Sequence, residues 1–528
     1  MREFSGSDEP LFTDTYRRLL SANGVAEPSA RYRPPTPSVR ERIVRCIWFD
    51  QSLATDRLRT DDGQKLRVLS PGWWNLEAGP DFRNAALRIG PGPVVKGDIE
   101  VHLQASFWHA HGHDADPTYN SVILHVALWN DAGNATVRTA AGADVPQLTL
   151  EPYLRTPLAE LADSVDPAEY PEAGAAASGR CHALLAEGKV TLEWLGRFLD
   201  HAGDQRIADK ARRLAARAAS TTPAGDDQLL YEAIAEGLGY KRNKAPAAEL
   251  ARRLPLAALR QRTAADSGSQ SAIGNRQSAI SAPLPLAIEA LLFGMSGLLP
   301  ASPDAAPDAP AREHIEQLRR LWDALGAGLA DDALDPAQWS FDGTRPPNFP
   351  TRRIAALARI ATRAIQDGLQ KAIRQAIGPA TGRLAPRQLK VRRAQLLDFF
   401  LSVRDPFWDT RTHFTAKPLA HPLRLIGDDR ADTIIIDGLL PVLLYQARRD
   451  DDRAFEELLH QLFATYPKLP STSVTRFMSQ RLFGRTEADL ALLRSARRQQ
   501  GLYQVYTDFC DSESATCTRC PLVRLLEG

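Results

Sequence analysis

Hydrophobic and polar positions follow a period of two before about residue 155 and a helical period after about residue 190. Ahead of the first strand, apolar residues three and four apart predict a helix over residues 39–53. A short helix or loop is expected over residues 105–120. Alternation and β-branched residues predict strands over residues 65–69, 82–89, 94–103, 122–129, 136–139 and 147–150. The predicted order therefore begins with a helix, three strands, a helix and a strand.

The second part of the chain is predicted to be helical. Periodic segments occur at residues 192–199, 205–219, 227–238, 246–253, 352–378, 431–446, 454–466 and 487–499. The expected fold class is α+β, with an N-terminal mixed α/β module followed by a mainly α-helical C-terminal region. We expect a flexible segment, an α/β domain, a helical region, a low-complexity insertion and a second helical region, at residues 1–37, 38–155, 156–263, 264–283 and 284–528.

Composition and net charge narrow the classes of function. The chain has 528 residues, enough for more than one domain, and its 44% hydrophobic and 24% charged residues are typical of a folded protein. A formal net charge of +1 gives no overall attraction to nucleic acid or membranes, so any such attraction must be local. No apolar run reaches the roughly 18 residues of a membrane span, and the N-terminus lacks the apolar core of a signal peptide. We therefore expect a cytoplasmic location and no membrane partner.

Acidic side chains stand out in residues 79–126. Asp81 precedes one predicted strand, and Glu100 lies on the strand that pairs with it. Because Mg²⁺ and Mn²⁺ take carboxylate oxygens as ligands, these two acids predict a divalent-metal site on the hairpin. The alternative is a structural hairpin, in which Asp81 caps a turn and Glu100 lies on the surface.

Five of the eleven histidines lie between residues 102 and 125. His102 and His125 fall on predicted strands that could be neighbours, and His125 is a further candidate ligand of the same ion. The connecting segment carries His109, His111 and His113, at a spacing that zinc and manganese sites use. The segment therefore predicts a different kind of centre, that of a zinc hydrolase, and the alternative is solvated side chains.

The element order, with Pro80-Asp81 followed by Glu100-x-His102, resembles the PD-(D/E)XK (restriction-endonuclease-like) nucleases over residues 38–130. The resemblance implies metal-dependent cleavage of phosphodiester bonds. It implies that Asp81 and Glu100 hold the ion and that Glu41, on the first helix, assists them. His102 stands where those nucleases carry lysine, and it could orient the attacking water, although histidine is not reliably cationic at neutral pH.

Three cysteines close the chain in the pattern Cys510-x6-Cys517-x2-Cys520. Three thiolates in one loop predict a zinc or iron–sulfur site, and such sites need a fourth ligand. Cys181 is the nearest candidate for that ligand, Cys46 and His182 are the other candidates, and free thiols are the alternative to a metal site. The odd total of five cysteines argues against a disulfide framework.

Basic residues are concentrated between residues 351 and 395, where eleven of them accompany a single acid. Such an excess can bind a phosphate backbone if the charges share one face of a helix. The alternative is a solvated face paired with acids elsewhere. The candidate nucleic-acid contacts are Arg345, Arg352, Arg353, Arg359 and Arg363.

The motifs together resemble a bacterial uncharacterised family, domain of unknown function 2851. The shared motifs are Gly-Pro-Asp-Phe, Gly-Asp-Ile-Glu-Val-His, Trp-x-x-His-x-His, Ile-Leu-His-Val, Arg-Pro-x-Asn-Phe-Pro and the terminal Cys-x-x-Cys. The family name implies no activity. From the residues, the leading hypothesis is a metal-dependent nuclease whose helical region binds nucleic acid. The competing hypotheses are a non-catalytic nucleic-acid-binding or scaffold protein and a zinc hydrolase, and no pattern identifies a protein partner.

Overall fold

The computed structural model describes residues 12, 15–22, 41–75, 79–155, 158, 161, 180–220, 225–240, 242–264, 282–341, 345–380, 382–484, 491–510 and 520–527. Cys517 and most of the predicted low-complexity insertion lie outside these residues. The chain divides into two compact units. The sheet unit comprises Ala26–Ala183 and Ser471–Arg485, and the helical unit comprises Met1–Val25, Leu184–Pro470 and Thr486–Gly528.

The strands of the sheet unit are β1 (Leu66–Ser70), β2 (Trp73–Trp74), β3 (Phe82–Ile89), β4 (Val94–Gln104), β5 (Val122–Trp129), β6 (Thr136–Arg138) and β7 (Asp144–Thr149). They form one seven-stranded sheet in the order β1-β3-β4-β5-β7-β6, with β2 paired to β3. Strands β1, β3 and β4 are antiparallel, whereas β5 runs parallel to β4 and to β7. The predicted strands are confirmed.

The helices in chain order are α1 (Thr15–Ala22), α2 (Glu41–Asp50), α3 (Phe107–Ala110), α4 (Arg180–Ala186), α5 (Leu192–Ser220), α6 (Asp226–Leu238), α7 (Lys244–Arg253), α8 (Leu256–Thr263), α9 (Leu284–Met295), α10 (Ala309–Leu325), α11 (Pro350–Asp367), α12 (Leu369–Ile377), α13 (Pro386–Leu401), α14 (Asp428–Thr433), α15 (Leu440–Arg449), α16 (Arg453–Thr465), α17 (Ser473–Phe483), α18 (Ala496–Val505) and α19 (Pro521–Glu527). None of them combines the length and apolar composition needed to cross a bilayer. The predicted α+β class, with a mainly helical C-terminal region, is confirmed.

The two faces of β4 have different partners, because successive side chains of a strand point to opposite faces. Ile99 and Val101 belong to the hydrophobic core of the sheet unit, together with Val44 and Ile47 of α2. Burying that apolar surface stabilises the sheet and fixes α2 against it. The even-numbered positions of β4 therefore face away from this core, and they carry the polar residues described below.

Several predicted helices differ in extent from the structure, among them the one predicted over residues 487–499, where α18 spans Ala496–Val505. The two segments predicted at residues 192–199 and 205–219 form one continuous helix, α5. The helix predicted over residues 352–378 is divided at Gly368, whose φ of +80° ends α11. Such a positive φ costs glycine little and other residues more. The helix predicted over residues 431–446 contains a π-helical turn, Ile434–Leu439, just before Pro441, and proline has no N–H to donate to a preceding turn.

The N-terminal segment that was expected to be flexible contains one described helix. Thr15–Ala22 forms α1, and Tyr16 is only 1% exposed. The Tyr16 hydroxyl donates to Asp508 Oδ2 at 2.9 Å, which joins α1 to the end of the helical unit. Apart from Phe12 and α1, residues 1–37 lie outside the described residues, and the flexibility of this segment stays a prediction.

Candidate metal centre

The polar face of the sheet is formed where β4 and β5 run parallel. Glu100 is paired in register with His125, and His102 lies two residues further along β4 on the same face. All three side chains are buried. The resemblance placed Glu100 and His102 at one site, and the period of two already put them on one face of the strand.

Asp81 and Glu41 join this face through a residue that the sequence did not single out. Arg45 Nη2 lies 2.8 Å from Asp81 Oδ1 and 3.3 Å from Glu41 Oε1. The Val101 N–H donates to Asp81 Oδ2 at 3.0 Å, so both oxygens of Asp81 have protein partners. A guanidinium thus stands beside Asp81 and Glu41, two of the acids that were expected at the ion. Their role as metal ligands stays a prediction.

Glu100 uses its two oxygens differently. Oε2 accepts the Asp81 backbone N–H at 3.0 Å. Oε1 faces the histidines, 3.2 Å from His113 Nε2 and 3.5 Å from His102 Nε2. Neither approach has hydrogen-bond geometry, because both nitrogens are buried without a hydrogen-bond partner among the described residues.

The segment after β4 folds back over the polar face. Trp108 is fully buried, and its indole N–H donates to the Arg138 carbonyl at 3.0 Å. The His113 N–H donates to the Trp108 carbonyl at 3.1 Å, which closes the turn after α3. Gly112 has a φ of +76° between His111 and His113, a conformation that glycine adopts readily. Both imidazoles are thereby turned towards β4.

His102, His111 and His113 form the candidate metal centre. One ring nitrogen from each lies within 4.8 Å of those of the other two. His102 and His113 are buried, whereas His111 is exposed and leaves a side open to solvent. Three imidazoles and an adjacent carboxylate suit borderline metals such as zinc or manganese better than magnesium, which prefers oxygen ligands.

Burial determines the protonation of this site. It raises the pKa of Glu100 to about 7 and that of Asp81 to about 8, although Arg45 opposes both shifts. Burial also raises the pKa of Glu41 to about 7. Desolvation lowers the pKa of His102, His111 and His113, which keeps their rings neutral at pH 7. Neutral imidazoles have the lone pair that a metal ligand needs.

Two predicted histidine ligands do not belong to this centre. His125 Nε2 lies 2.9 Å from His102 Nδ1, and His125 Nδ1 lies 3.0 Å from Gln147 Oε1, so neither of its nitrogens is available to an ion. The prediction of His125 as a ligand is therefore corrected. His109 Nδ1 lies 2.9 Å from Asp114 Oδ2 on the surface, outside the group of three.

Four of the five arginines predicted to bind nucleic acid have structural partners within the helical unit. Arg352 is fully buried and donates to carbonyl groups, among them those of Trp408 and Arg411. Arg353 donates to the Leu425 carbonyl and to Asn348 Oδ1. A guanidinium that is buried and hydrogen-bonded in this way cannot also hold an external phosphate.

Arg359 and Arg363, the other two of these four arginines, also have partners within the helical unit. Arg359 pairs with Glu289 at 2.7 Å and with Asp405. Arg363 donates to the Phe399 carbonyl at 2.7 Å. The four arginines of α11 therefore have partners within the protein, and nucleic-acid binding by them stays a prediction that these contacts disfavour. Arg345, on the loop before α11, is exposed and keeps its candidacy.

The structure describes only some of the cysteines of the predicted metal site. Cys510 ends the π-helical turn Tyr506–Cys510, and Cys520 precedes α19, both in the helical unit. Cys181 lies in α4, on the part of that helix that belongs to the sheet unit. Because Cys517 lies outside the described residues, a zinc or iron–sulfur site here stays a prediction.

Sequence reasoning missed three residues of the polar face. Arg45 follows Glu41 by four residues on α2, and this spacing could have indicated an ion pair. Gln147 and Asp61 carried no such signal. Asp61 lies in a turn before β1, 86 residues from Gln147, and only the folded sheet brings the two side chains together.

A family described as protein of unknown function (DUF2851) matches the chain over residues 41–469. The matched range includes the whole candidate centre, and Cys510 and Cys520 lie outside it. No curated protein and no solved structure matches the chain.

Proposed function

We propose that this chain, which belongs to the family described as protein of unknown function (DUF2851), is a divalent-metal-dependent hydrolase of nucleic-acid phosphodiester bonds. The description of the family carries no activity. The centre that we assign to this activity consists of His102, His111, His113 and Glu100. The proposal has two parts, the metal and the substrate, and they are supported by different observations.

The charge balance of the polar face supports the metal. Arg45 pairs with Glu41 and Asp81, and its charge also acts on Glu100. One guanidinium does not offset the burial of three acids, so burial raises the pKa of each of them to about 7 or 8. Buried charges are paired or coordinate metals, and a divalent cation beside Glu100 would supply the missing positive charge and favour the carboxylate form. The single observation that carries the proposal is the unpartnered pair of His102 Nε2 and His113 Nε2 facing Glu100 Oε1.

Different residues of the centre can take different roles in hydrolysis. His102, His111 and His113 would hold the ion, which would supply Lewis-acid chemistry by polarising an ester oxygen and lowering the pKa of the attacking water. Glu100, with its pKa raised to about 7 by burial, can accept a proton from that water at neutral pH. Burial raises the pKa of Tyr119. Its ring lies against that of His113, with 3.8 Å between centroids, and the phenol can donate a hydrogen bond.

The order of elements supports the substrate class. The resemblance to restriction-endonuclease-like nucleases rests on an order of elements that corresponds here to α2, β1, β3, β4, α3 and β5, with the short strand β2 added between β1 and β3. The same resemblance implies a site formed by Asp81, Glu100 and His102, and the Asp81 N–H donates to Glu100 Oε2. Phosphodiester cleavage is therefore the chemistry that we propose, with the ion displaced from Asp81 towards the histidines.

The test uses the full-length protein, stripped of metal by a chelator and reloaded with Zn²⁺, Mn²⁺ or Mg²⁺. We expect cleavage of labelled single- or double-stranded DNA or RNA with Zn²⁺ or Mn²⁺. Loss of a general base lowers rates by about 10²–10⁴-fold, and Glu100→Gln should show a loss of this size. His113→Ala should also be inactive, whereas the matched control His109→Ala should retain wild-type activity.

Each failure has a defined meaning. Metal binding without cleavage would replace the nuclease by a non-catalytic metal-binding protein. Activity that needs Mg²⁺ and Asp81 but tolerates His113→Ala would place the ion among the carboxylates instead. Wild-type activity in Glu100→Gln, purified in parallel to reveal contaminating nucleases, would refute the proposed centre.

A further inference from the structure

A buried chain of side chains leads from a turn before β1 to the candidate centre. Asp61 Oδ2 accepts from Gln147 Nε2 at 2.8 Å and from Thr149 Oγ1 at 2.8 Å, and Asp61 Oδ1 accepts the Thr149 N–H at 2.8 Å. Gln147 Nε2 donates its second hydrogen to the Asn134 carbonyl at 2.9 Å. These contacts determine the orientation of the Gln147 amide. Turning it over would place its oxygen against a carboxylate and a carbonyl, which are both acceptors.

The fixed amide determines the tautomer of the next ring. Gln147 Oε1 can only accept, and it lies 3.0 Å from His125 Nδ1, so that nitrogen must carry the proton. His125 is fully buried, and both of its ring partners, Gln147 and His102, lack a negative charge, so nothing stabilises a cationic ring and it has one N–H. His125 Nε2 is consequently an acceptor.

The tautomer of His125 in turn determines the tautomer of His102 in the candidate centre. His102 Nδ1 lies 2.9 Å from His125 Nε2 and must donate to it. With the single proton of a neutral ring on Nδ1, the Nε2 atom of His102 is left with a lone pair. That atom is buried, 3.5 Å from Glu100 Oε1, and the same carboxylate oxygen lies 3.2 Å from His113 Nε2. A histidine that binds a metal usually donates its other N–H to a fixed acceptor, and His125 provides that acceptor here.

We infer that Asp61, Gln147 and His125 are positioning residues that hold His102 in its Nδ1–H tautomer and so present the Nε2 lone pair to a divalent cation. The assignment of the cation rests on the proposed function, whereas the tautomer does not. One imidazole thus supports another, and an amide two strands away determines which ring nitrogens carry the protons. His102 therefore has the tautomer that a metal ligand needs before an ion binds.

The first test is spectroscopic and uses the metal-free wild-type protein. The ¹⁵N shifts of a protonated and a bare ring nitrogen differ widely, so ¹⁵N-histidine labelling of the full chain gives the tautomer, with His102→Ala and His125→Ala assigning the signals. We expect a protonated Nδ1 and a bare Nε2 in both rings. A protonated Nε2 in neutral His102 would overturn the inference, whatever the metal does.

The second test removes the amide acceptor. Gln147→Met keeps the length of the side chain but cannot fix His125, and loss of such a supporting group typically weakens metal binding by about 10–100-fold. Thr149→Val is the matched control, because it removes a donor to the same Asp61 carboxylate and leaves the amide in place. Titration with Co²⁺ should show weaker binding in Gln147→Met alone.

The outcomes separate this inference from the proposed function. Equal losses in Gln147→Met and Thr149→Val, or no loss in either, would overturn the positioning role. If the wild type has the expected tautomers but binds no Co²⁺ at His102, the proposed hydrolase fails while the tautomer chain stands. Subtracting the binding of His102→Ala excludes Co²⁺ bound at the terminal cysteines.

Discussion

Glu100 is expected to reduce the stability of the metal-free sheet unit, and Glu100→Gln should therefore stabilise it. The carboxylate is buried, and its Oε1 faces two imidazole nitrogens that make no hydrogen bond to it, so its charged form is unfavourable there. A glutamine keeps an oxygen for the Asp81 N–H. Its amide group can donate to His113 or His102 where the carboxylate could not.

The magnitude follows from the pKa of Glu100, which burial raises to about 7 from about 4.3 in an unfolded chain. Because the folded state binds the proton more tightly, stability is greatest below the unfolded pKa and falls as the pH rises towards the folded pKa. The difference corresponds to roughly 3–4 kcal/mol at full expression, of which about 2–3 kcal/mol is lost between pH 5 and pH 8. Glu100→Gln lacks this loss.

The assay is hydrogen–deuterium exchange of peptides from β4 and β5 in the presence of a chelator, corrected for the intrinsic pH dependence of exchange. It reports on the sheet unit without assuming that a chain of two units unfolds in one step. The exposed Glu193→Gln serves as the control and should change protection by less than about 0.5 kcal/mol. The reasoning is refuted if Glu100→Gln is less protected than wild type at pH 8, or loses protection with pH as steeply.

Other residues give further expectations. Replacing Arg352 by leucine leaves several buried carbonyls without a donor and should destabilise the helical unit by at least about 3 kcal/mol in thermal unfolding; a change within error would contradict its structural role. Gly368→Ala should cost about 1–2 kcal/mol in thermal unfolding because its φ is +80°, and an unchanged stability would contradict this. In a His102→Ala background, we expect metal analysis to find zinc or iron, and the further substitution Cys510→Ser should remove it. Visible absorption is expected only for an iron–sulfur cluster. A colourless, metal-free protein would refute a metal site at the terminal cysteines.

The sequence by itself determined the elements and the region of the site. Periods of two and of 3.6 are local properties, and they predicted the strands β3, β4 and β5 and the helices α6, α7 and α16 close to their observed bounds. The same period of two put Glu100 and His102 on one face of β4. Local patterns could do this because a strand has only two faces, and one of them was already filled with apolar residues.

Only the tertiary structure decided what each polar group contacts. It placed Arg45 beside Asp81, chose His113 over His109 as a candidate ligand, and turned Arg352 inward. The function of a polar side chain depends on its donors and acceptors, and these come from segments far apart in the chain. His125 looked like a ligand in the sequence, and its two partners, His102 on β4 and Gln147 on β7, make it a support for one. No local pattern carries that information, because the partners are set by how the strands pair.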